Sequence, residues 1–380
     1  MKMANLGAMN ILIAPDKFKG SLSAIAVCDA IEAGLMRFDP ATEVQKLPLA
    51  DGGEGTLDVL RSCLDLQTIS RTVSDPLFRP VTASYQMGGE IAYIEMAAAS
   101  GLPLLTAAER DCRYTTTLGT GELIADALHK GAKEIYLFVG GSATNDAGIG
   151  MAQALGYRFL DKSDQALQPV GDNLVHIHRI LPPEKALPEA LRCFVVCDVQ
   201  NPLYGPDGAA HVYGPQKGAS PATVAALDLG LQHVAALFRD QLSRDVAMIP
   251  GAGAAGGIAA GAMVFLHARI RPGIQTLMDL VGFDEFAQKA DLILTGEGKM
   301  DMQTLSGKVI YGVAMAAQQL GKPLGVICGA SEVSTADIEK LGIARVLPVM
   351  NGTVPLDEAM QDAAKWVSLR AYELMADWLI

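Results

Sequence analysis

Residues 135–152 read IYLFVGGSATNDAGIGMA. The first five are β-branched, aromatic or otherwise apolar, and the chain then breaks at Gly140 and Gly141 before a helical pattern begins. A buried strand that stops at glycine and turns into a helix is the repeating unit of a parallel α/β sheet. The glycine pair lets backbone amides converge. Ser142, Thr144, Asn145 and Asp146 then bring polar side chains to a predicted helix N-terminus, where the peptide dipoles favour an anion. Capping that helix needs one such side chain; four together point to a bound ligand.

The same grammar recurs along the chain. Apolar runs at 11–14 (ILIA), 194–197 (FVVC), 292–294 (LIL) and 324–327 (LGVI) each end in Gly, Pro, Asp or Ser, and most lead into a helical pattern. Predicted helices cover 24–36, 54–63, 119–130, 145–155, 222–243, 256–268, 304–320 and 356–379. Leu227, Leu231, Val234, Leu237 and Phe238 form one buried stripe, and Trp366 and Trp378 of the last helix read as packing residues. At 380 residues the chain is long enough for two domains.

Ligands of such sheets bind beyond the carboxyl ends of the strands, so the polar residues there are the candidates. PDKFKGSLSA (15–24) places Asp16, Lys17 and Lys19 ahead of a helix capped by Ser21 or Ser23. LPLADGGEGT (47–56) sets Asp51 at a strand end, two flexible glycines after it and Glu54 in the first helical turn; Asp51 and Glu54 also fit a capping box that needs no ligand. VVCDVQNPLYG (195–205) offers Asp198 as a base or metal ligand with Asn201 to position it, or an Asx turn. PGAGAAGGIAAG (250–261) has Gly251, Gly253 and Gly256 in G-x-G-x-x-G spacing. A dinucleotide fold would want an acidic residue about 20 positions on, but Arg269, Arg271 and Pro272 stand there. LILTGEGKMDMQTLSGK (292–308) carries Gly296, Glu297, Lys299 and Asp301 between a strand and a helix.

Bulk properties narrow the function. Half the residues are hydrophobic and 39 are glycine, as in a compact α/β enzyme. A formal charge of −12 argues against a nucleic-acid partner. The six cysteines are scattered without C-x-x-C and read as reduced core residues. His176 and His178 lack further ligands at metal-binding spacing. No charge-free apolar run reaches the roughly 18 residues of a membrane span, and the N-terminus is too polar for a signal peptide; a cytoplasmic location is expected. Neither H-R-D, D-F-G nor a G-x-x-x-x-G-K-[ST] loop occurs, which disfavours a protein kinase and a P-loop enzyme.

Taken in order, IAPDKFKGSLSA (13–24), ADGGEGT (50–56), IEMAAASGLPL (94–104), TTTLGTGELI (115–124), GGSATNDAGIGMA (140–152), DVQNPLYG (198–205), GPQKGA (214–219), PGAGAAGG (250–257) and TGEGKMDMQTLSGK (295–308) resemble the class I glycerate kinases. Lys17 departs from the usual Ser and Ala147 from the usual Gly, and residues 1–8 precede the family's usual start near Met9. The departure at Lys17 shifts weight to Lys19.

The resemblance implies two α/β domains: a discontinuous flavodoxin-like domain with a three-layer parallel sheet from 1–75 and 285–380, and an unusual α/β domain, 76–284, inserted into it. The active site would lie in the cleft between them. It further implies ATP and Mg2+ as cofactors and phosphorylation of D-glycerate to 2-phosphoglycerate within glyoxylate metabolism, with a homodimer left open. Product phosphorylated at the 3-hydroxyl is the alternative, ahead of an NAD-dependent hydroxy-acid oxidoreductase or a non-catalytic metabolite-binding protein.

On that resemblance Asp198 receives the hydroxyl proton, and Lys19 with Lys17 clamps the transferring phosphoryl group. Asp51 and Asp301 are candidate magnesium ligands. Asp51, Glu54, Arg79, Ser142, Thr144 and Asn145 are candidates for glycerate. The nucleotide phosphates would meet Gly251, Gly253 and Gly256, or Gly296, Glu297 and Lys299.

Overall fold

A computed structural model describes residues 9–302, 304, 307–352 and 354–378. The expected extension at 1–8 lies outside the described residues. In chain order the strands are β1 (Asn10–Ile13), β2 (Glu43–Lys46), β3 (Gln67–Ser74), β4 (Pro80–Gly88), β5 (Ile91–Glu95), β6 (Glu134–Phe138), β7 (Arg158–Leu160), β8 (Arg179–Leu181), β9 (Arg192–Val196), β10 (Arg269–Arg271), β11 (Leu292–Met300), β12 (Leu324–Ser331) and β13 (Arg345–Pro348). The chain divides into two units, one formed by 1–51, 58–64 and 272–380, the other by 52–57 and 65–271.

The first unit holds a five-stranded sheet in the order β13-β12-β11-β1-β2, parallel throughout. Counted within the unit this is the order 2-1-3-4-5, the flavodoxin-like arrangement that the resemblance implies, and the runs ILIA, LIL and LGVI lie on three of its strands. The Ala24–Phe38 helix begins at Ser23, whose hydroxyl accepts from the Ala26 amide. It buries Val27, Ile31 and Leu35 against Val367, Ala371 and Leu374 of the Ala363–Trp378 helix. The backbones come so close that a Cβ at Gly34 would lie 2.2 Å from the Ser368 carbonyl oxygen.

The second unit is built on a six-stranded sheet, β10-β9-β6-β5-β4-β3. β5, β6, β9 and β10 run parallel, while β4 and β3 add an antiparallel hairpin. β5, β6 and β9 are nearly continuous apolar runs, as strands covered on both faces require, whereas the edge strand β10 is Arg269–Arg271 and has no fully buried residue. β3 reads QTISRTVS and buries only Val73, which is why no strand is evident there from sequence. The Pro221–Leu242 helix is long and apolar enough to cross a membrane by length and composition, but its stripe of Val224, Leu227, Leu231, Val234 and Phe238 is packed into this unit's core.

Several expected boundaries move. β3 is paired with β4 along its whole length, so it joins the second unit, and the division falls after Leu64 instead of near 75. Residues 272–284 join the first unit, where a Cβ at Gly312 would meet Ile274. The helix expected over 145–155 starts only at Ile149, because Ala147 and Gly148 take left-handed conformations. The one expected over 54–63 starts at Thr56, so Glu54 precedes its first turn. The last helix is two, Leu356–Gln361 and Ala363–Trp378.

Candidate functional site

In a 2-1-3-4-5 sheet the crevice opens at the carboxyl ends of β1 and of the strand beside it, here β11. The ladder between them runs on past β1, with the Ala14 amide donating to the Leu294 carbonyl at 2.7 Å and the Asp16 amide to the Gly296 carbonyl at 2.8 Å. Asp16 is thereby buried at the crevice, one carboxylate oxygen accepting from the Lys17 amide at 2.6 Å. Burial, with the charges of Asp51 and Glu297 behind it, raises its pKa to about 7. Glu297 is buried too, and burial holds its pKa above the ordinary value although the Thr304 hydroxyl donates to it. Asp301 continues the cluster, its amide donating to Thr304 Oγ1 at 3.0 Å. Lys19 is exposed, and its backbone lies against Gly298, where a Cβ would come within 3.2 Å of the Lys19 nitrogen.

The second unit gathers its polar residues at the carboxyl ends of β5, β6 and β9. The Gly140–Asp146 turn follows β6 and is almost wholly buried from Ser142 onward. Its scaffold is the TTTLGT motif. Thr115 donates to the Ala143 carbonyl at 2.9 Å, and Thr117 donates through its hydroxyl to Asp146 at 2.8 Å while accepting from the Met151 amide. Asp146 also accepts from the Thr117, Gly148 and Gly150 amides, yet complete burial keeps its pKa raised. Beneath the turn Lys217, 2 % exposed, donates to Ser142 Oγ at 2.7 Å and to the Thr144 carbonyl at 2.8 Å. Thr144 Oγ1 and both polar atoms of the Asn145 side chain are buried with no hydrogen-bond partner. Asp198 is exposed just beyond β9, the strand hydrogen-bonded to β6. Asn201 is structural: it accepts from the Tyr213 hydroxyl at 2.6 Å and donates to the Asp207 carbonyl at 2.8 Å.

Other sequence candidates have packing reasons. A Cβ at Gly256 would stand 2.0 Å from the Thr144 carbonyl oxygen, and one at Gly253 2.2 Å from that of Pro202. The 250–257 segment is thus pressed backbone to backbone against the turns after β6 and β9, with Gly251 beside Val199. Gly256 also has φ +72, so Gly256→Ala is expected to push the Thr144 turn aside and to cost several kcal/mol, read as a lowered thermal midpoint. At Gly296 a Cβ would meet the Ile327 carbonyl oxygen at 2.1 Å. Lys299 is on the surface, paired with Glu332 at 2.9 Å. Arg79 has its guanidinium on Asp75 and Glu109 at 2.6 Å each, so its charge is already compensated. Gly53 approaches Gly140 so closely that a Cβ on the latter would lie 3.2 Å from it, and Glu54 is exposed.

Magnesium takes oxygen ligands and commonly uses one or two carboxylates beside phosphate oxygens and water. Asp16, Asp51 and Glu297 fit that use, since their charges disfavour one another until a cation arrives. Among the described residues no group of three or more His, Cys, Asp or Glu is placed to hold a metal by itself.

The model of the glycerate kinase family matches residues 11–379. The chain belongs to the glycerate kinase family. It is 42% identical over 374 residues to a protein named glycerate kinase from Halalkalibacterium halodurans, covering 97% of this chain and 98% of that one. It is 41% identical to the glycerate 2-kinase of Escherichia coli K12, over 93% of this chain and 94% of the other. A crystal structure of a putative glycerate kinase 2 from Salmonella typhimurium LT2 superposes with a TM-score of 0.88 at 41% identity and covers 98% of both chains.

Sequence reasoning gave no role to two buried residues of this glycerate kinase family chain: Asp16, named at its strand end but overshadowed by the two lysines after it, and Lys217. The glycine after Lys217, with φ +90 and packed on the Arg110 carbonyl, was the available signal that the GPQKGA loop is folded tightly into the molecule.

Proposed function

We propose that the chain transfers the γ-phosphoryl group of MgATP to the 2-hydroxyl of D-glycerate, giving 2-phosphoglycerate, in the cytoplasm. The observation that carries the reading is the buried polar turn at Ser142–Asn145 after β6, with Asp198 following β9, the strand hydrogen-bonded to β6. A carboxylate can be held at the first while a hydroxyl proton passes to the second. Family membership supplies the nucleotide.

In this reading the second unit binds glycerate and the first binds the nucleotide. Asp198 Oδ accepts the hydroxyl proton as the oxygen attacks. Thr144 and Asn145 orient the acid. Lys19, with Lys17, offsets negative charge on the phosphate oxygens, and Asp16, Asp51, Glu297 and Asp301 are the carboxylates available to a magnesium ion. That ion, when bound, spreads the charge of the transferring group, the main demand of phosphoryl transfer. The glycines at 251–256 serve this site by bringing the turns after β6 and β9 together; we assign the phosphates to the crevice at β1 and β11 instead, near Gly296 and Glu297.

ADP formation that requires both D-glycerate and Mg2+ is the expected result, and its absence with glycerate would end the proposal. Regiochemistry rests on positioning, since misplacement by about 1 Å can cost on the order of a hundredfold in rate. With enolase present and phosphoglycerate mutase withheld, phosphoenolpyruvate should form directly. Phosphoenolpyruvate that appears only after mutase is added would identify the 3-hydroxyl as the acceptor.

A further inference from the structure

Lys217 is an ammonium group almost sealed from water, and its two hydrogen-bond acceptors, Ser142 Oγ and the Thr144 carbonyl, are both neutral. The titratable groups that face it are Asp146 and Cys112. Asp146 already spends its oxygens on the Thr117 hydroxyl and on the Thr117, Gly148 and Gly150 amides. Cys112 is a thiol whose pKa burial raises to about 11. Burial lowers that of Lys217 to about 8, which leaves it largely charged at neutral pH.

A buried charge is ordinarily paired and a buried polar atom ordinarily hydrogen-bonded. Here one turn breaks both habits at once. Thr144 Oγ1, Asn145 Nδ2 and Asn145 Oδ1 are all buried and partnerless, on the turn whose neighbouring groups receive the Lys217 protons. A small ligand with a carboxylate at one end and a hydroxyl next to it would supply the missing negative charge, the missing acceptors and a donor for the amide oxygen. We infer that Lys217 is the positioning residue of an acid-recognition site, in which Thr144 Oγ1 and Asn145 Nδ2 hold the carboxylate of a small 2-hydroxy acid against the buried lysine charge.

This rests on the glycerate kinase reading for the identity of the acid, and the test separates the two. Binding of D-glycerate and of D-lactate is measured by calorimetry without nucleotide, and steady-state kinetics are run with glycerate and ATP varied in turn. Lys217→Met should weaken acid binding and raise the glycerate KM by about tenfold or more, the range for a hydrogen-bonded charge, while the ATP KM stays within about twofold. Lys217→Arg should recover part of the loss. Should Lys217→Met fail to fold, Ser142→Ala, which removes one acceptor only, should raise the glycerate KM alone by a few fold. Equal changes in both KM values, or a lowered thermal midpoint with unchanged acid binding, would mean that Lys217 only braces the turn and that water fills the site. Acid binding that depends on Lys217 without any phosphoryl transfer would overturn the kinase reading and keep this one.

Discussion

Asp16→Asn is expected to make the protein more stable and nearly inactive. An acid whose pKa rises from 3.8 to about 7 on folding binds a proton more tightly in the folded than in the unfolded chain. Its stabilising contribution is therefore complete below the unfolded value and is lost as pH climbs through about 7, where the buried carboxylate must ionise beside Asp51 and Glu297. Asparagine keeps the shape and the acceptor for the Lys17 amide without the charge. Above pH 8 the variant should unfold about 2–4 kcal/mol later than the wild type, the upper figure being the full linkage for such a shift, and the two should converge near pH 4. Thermal denaturation across that window checks it; a variant less stable at pH 8 would mean that the carboxylate is compensated in the folded chain. If Asp16 helps hold a magnesium-bound nucleotide, MgATP should raise the midpoint of the wild type and leave that of the variant almost unmoved.

Asp198→Asn should leave the fold untouched, since the side chain is exposed at the end of β9, and should lower kcat by about a hundredfold or more, the usual range for a general base. The loop after it is fixed independently by Asn201, so the amide would occupy the same place. The glycerate KM should change by no more than a few fold, because the acid is held elsewhere. Turnover close to wild type would remove Asp198 from the chemistry and turn attention to Asp16.

The strands that matter for the first sheet were legible because they are buried on both faces and so read as unbroken apolar runs. β3 was not, since seven of its eight residues remain at least partly exposed, and it belongs to the sheet only through β4. The turn after β6 stood out as a candidate because its polar residues are contiguous, and all of them from Ser142 to Asp146 are buried. Lys217 was not, because a lysine in a glycine-flanked loop ordinarily faces water; its burial depends on Ser142, 75 residues away. Asp16 shows the same limit. Its neighbours Lys17 and Lys19 read as an anion site from sequence, whereas its own altered acidity arises from burial and from the charges of Asp51 and Glu297, both distant in sequence. The helix expected from Glu54 starts late for a local reason: the chain turns through Gly52 and Gly55 with positive φ.

The division of the chain also sets an order of events at birth. β1, β2 and the Ala24–Phe38 helix leave the ribosome before residues 65–271, but β1 needs β11 on its other side and the helix needs the Ala363–Trp378 segment, both made after them. At about 5–20 residues per second, tens of seconds pass while the whole of 65–271 is synthesised and can collapse on its own. Throughout that interval Val27, Ile31 and Leu35 lack the Val367, Ala371 and Leu374 surface that covers them in the folded unit. Docking of the Ala24–Phe38 helix on that segment therefore waits until 65–271 has been made, and the apolar face left open meanwhile is a surface for holding chaperones or for aggregation.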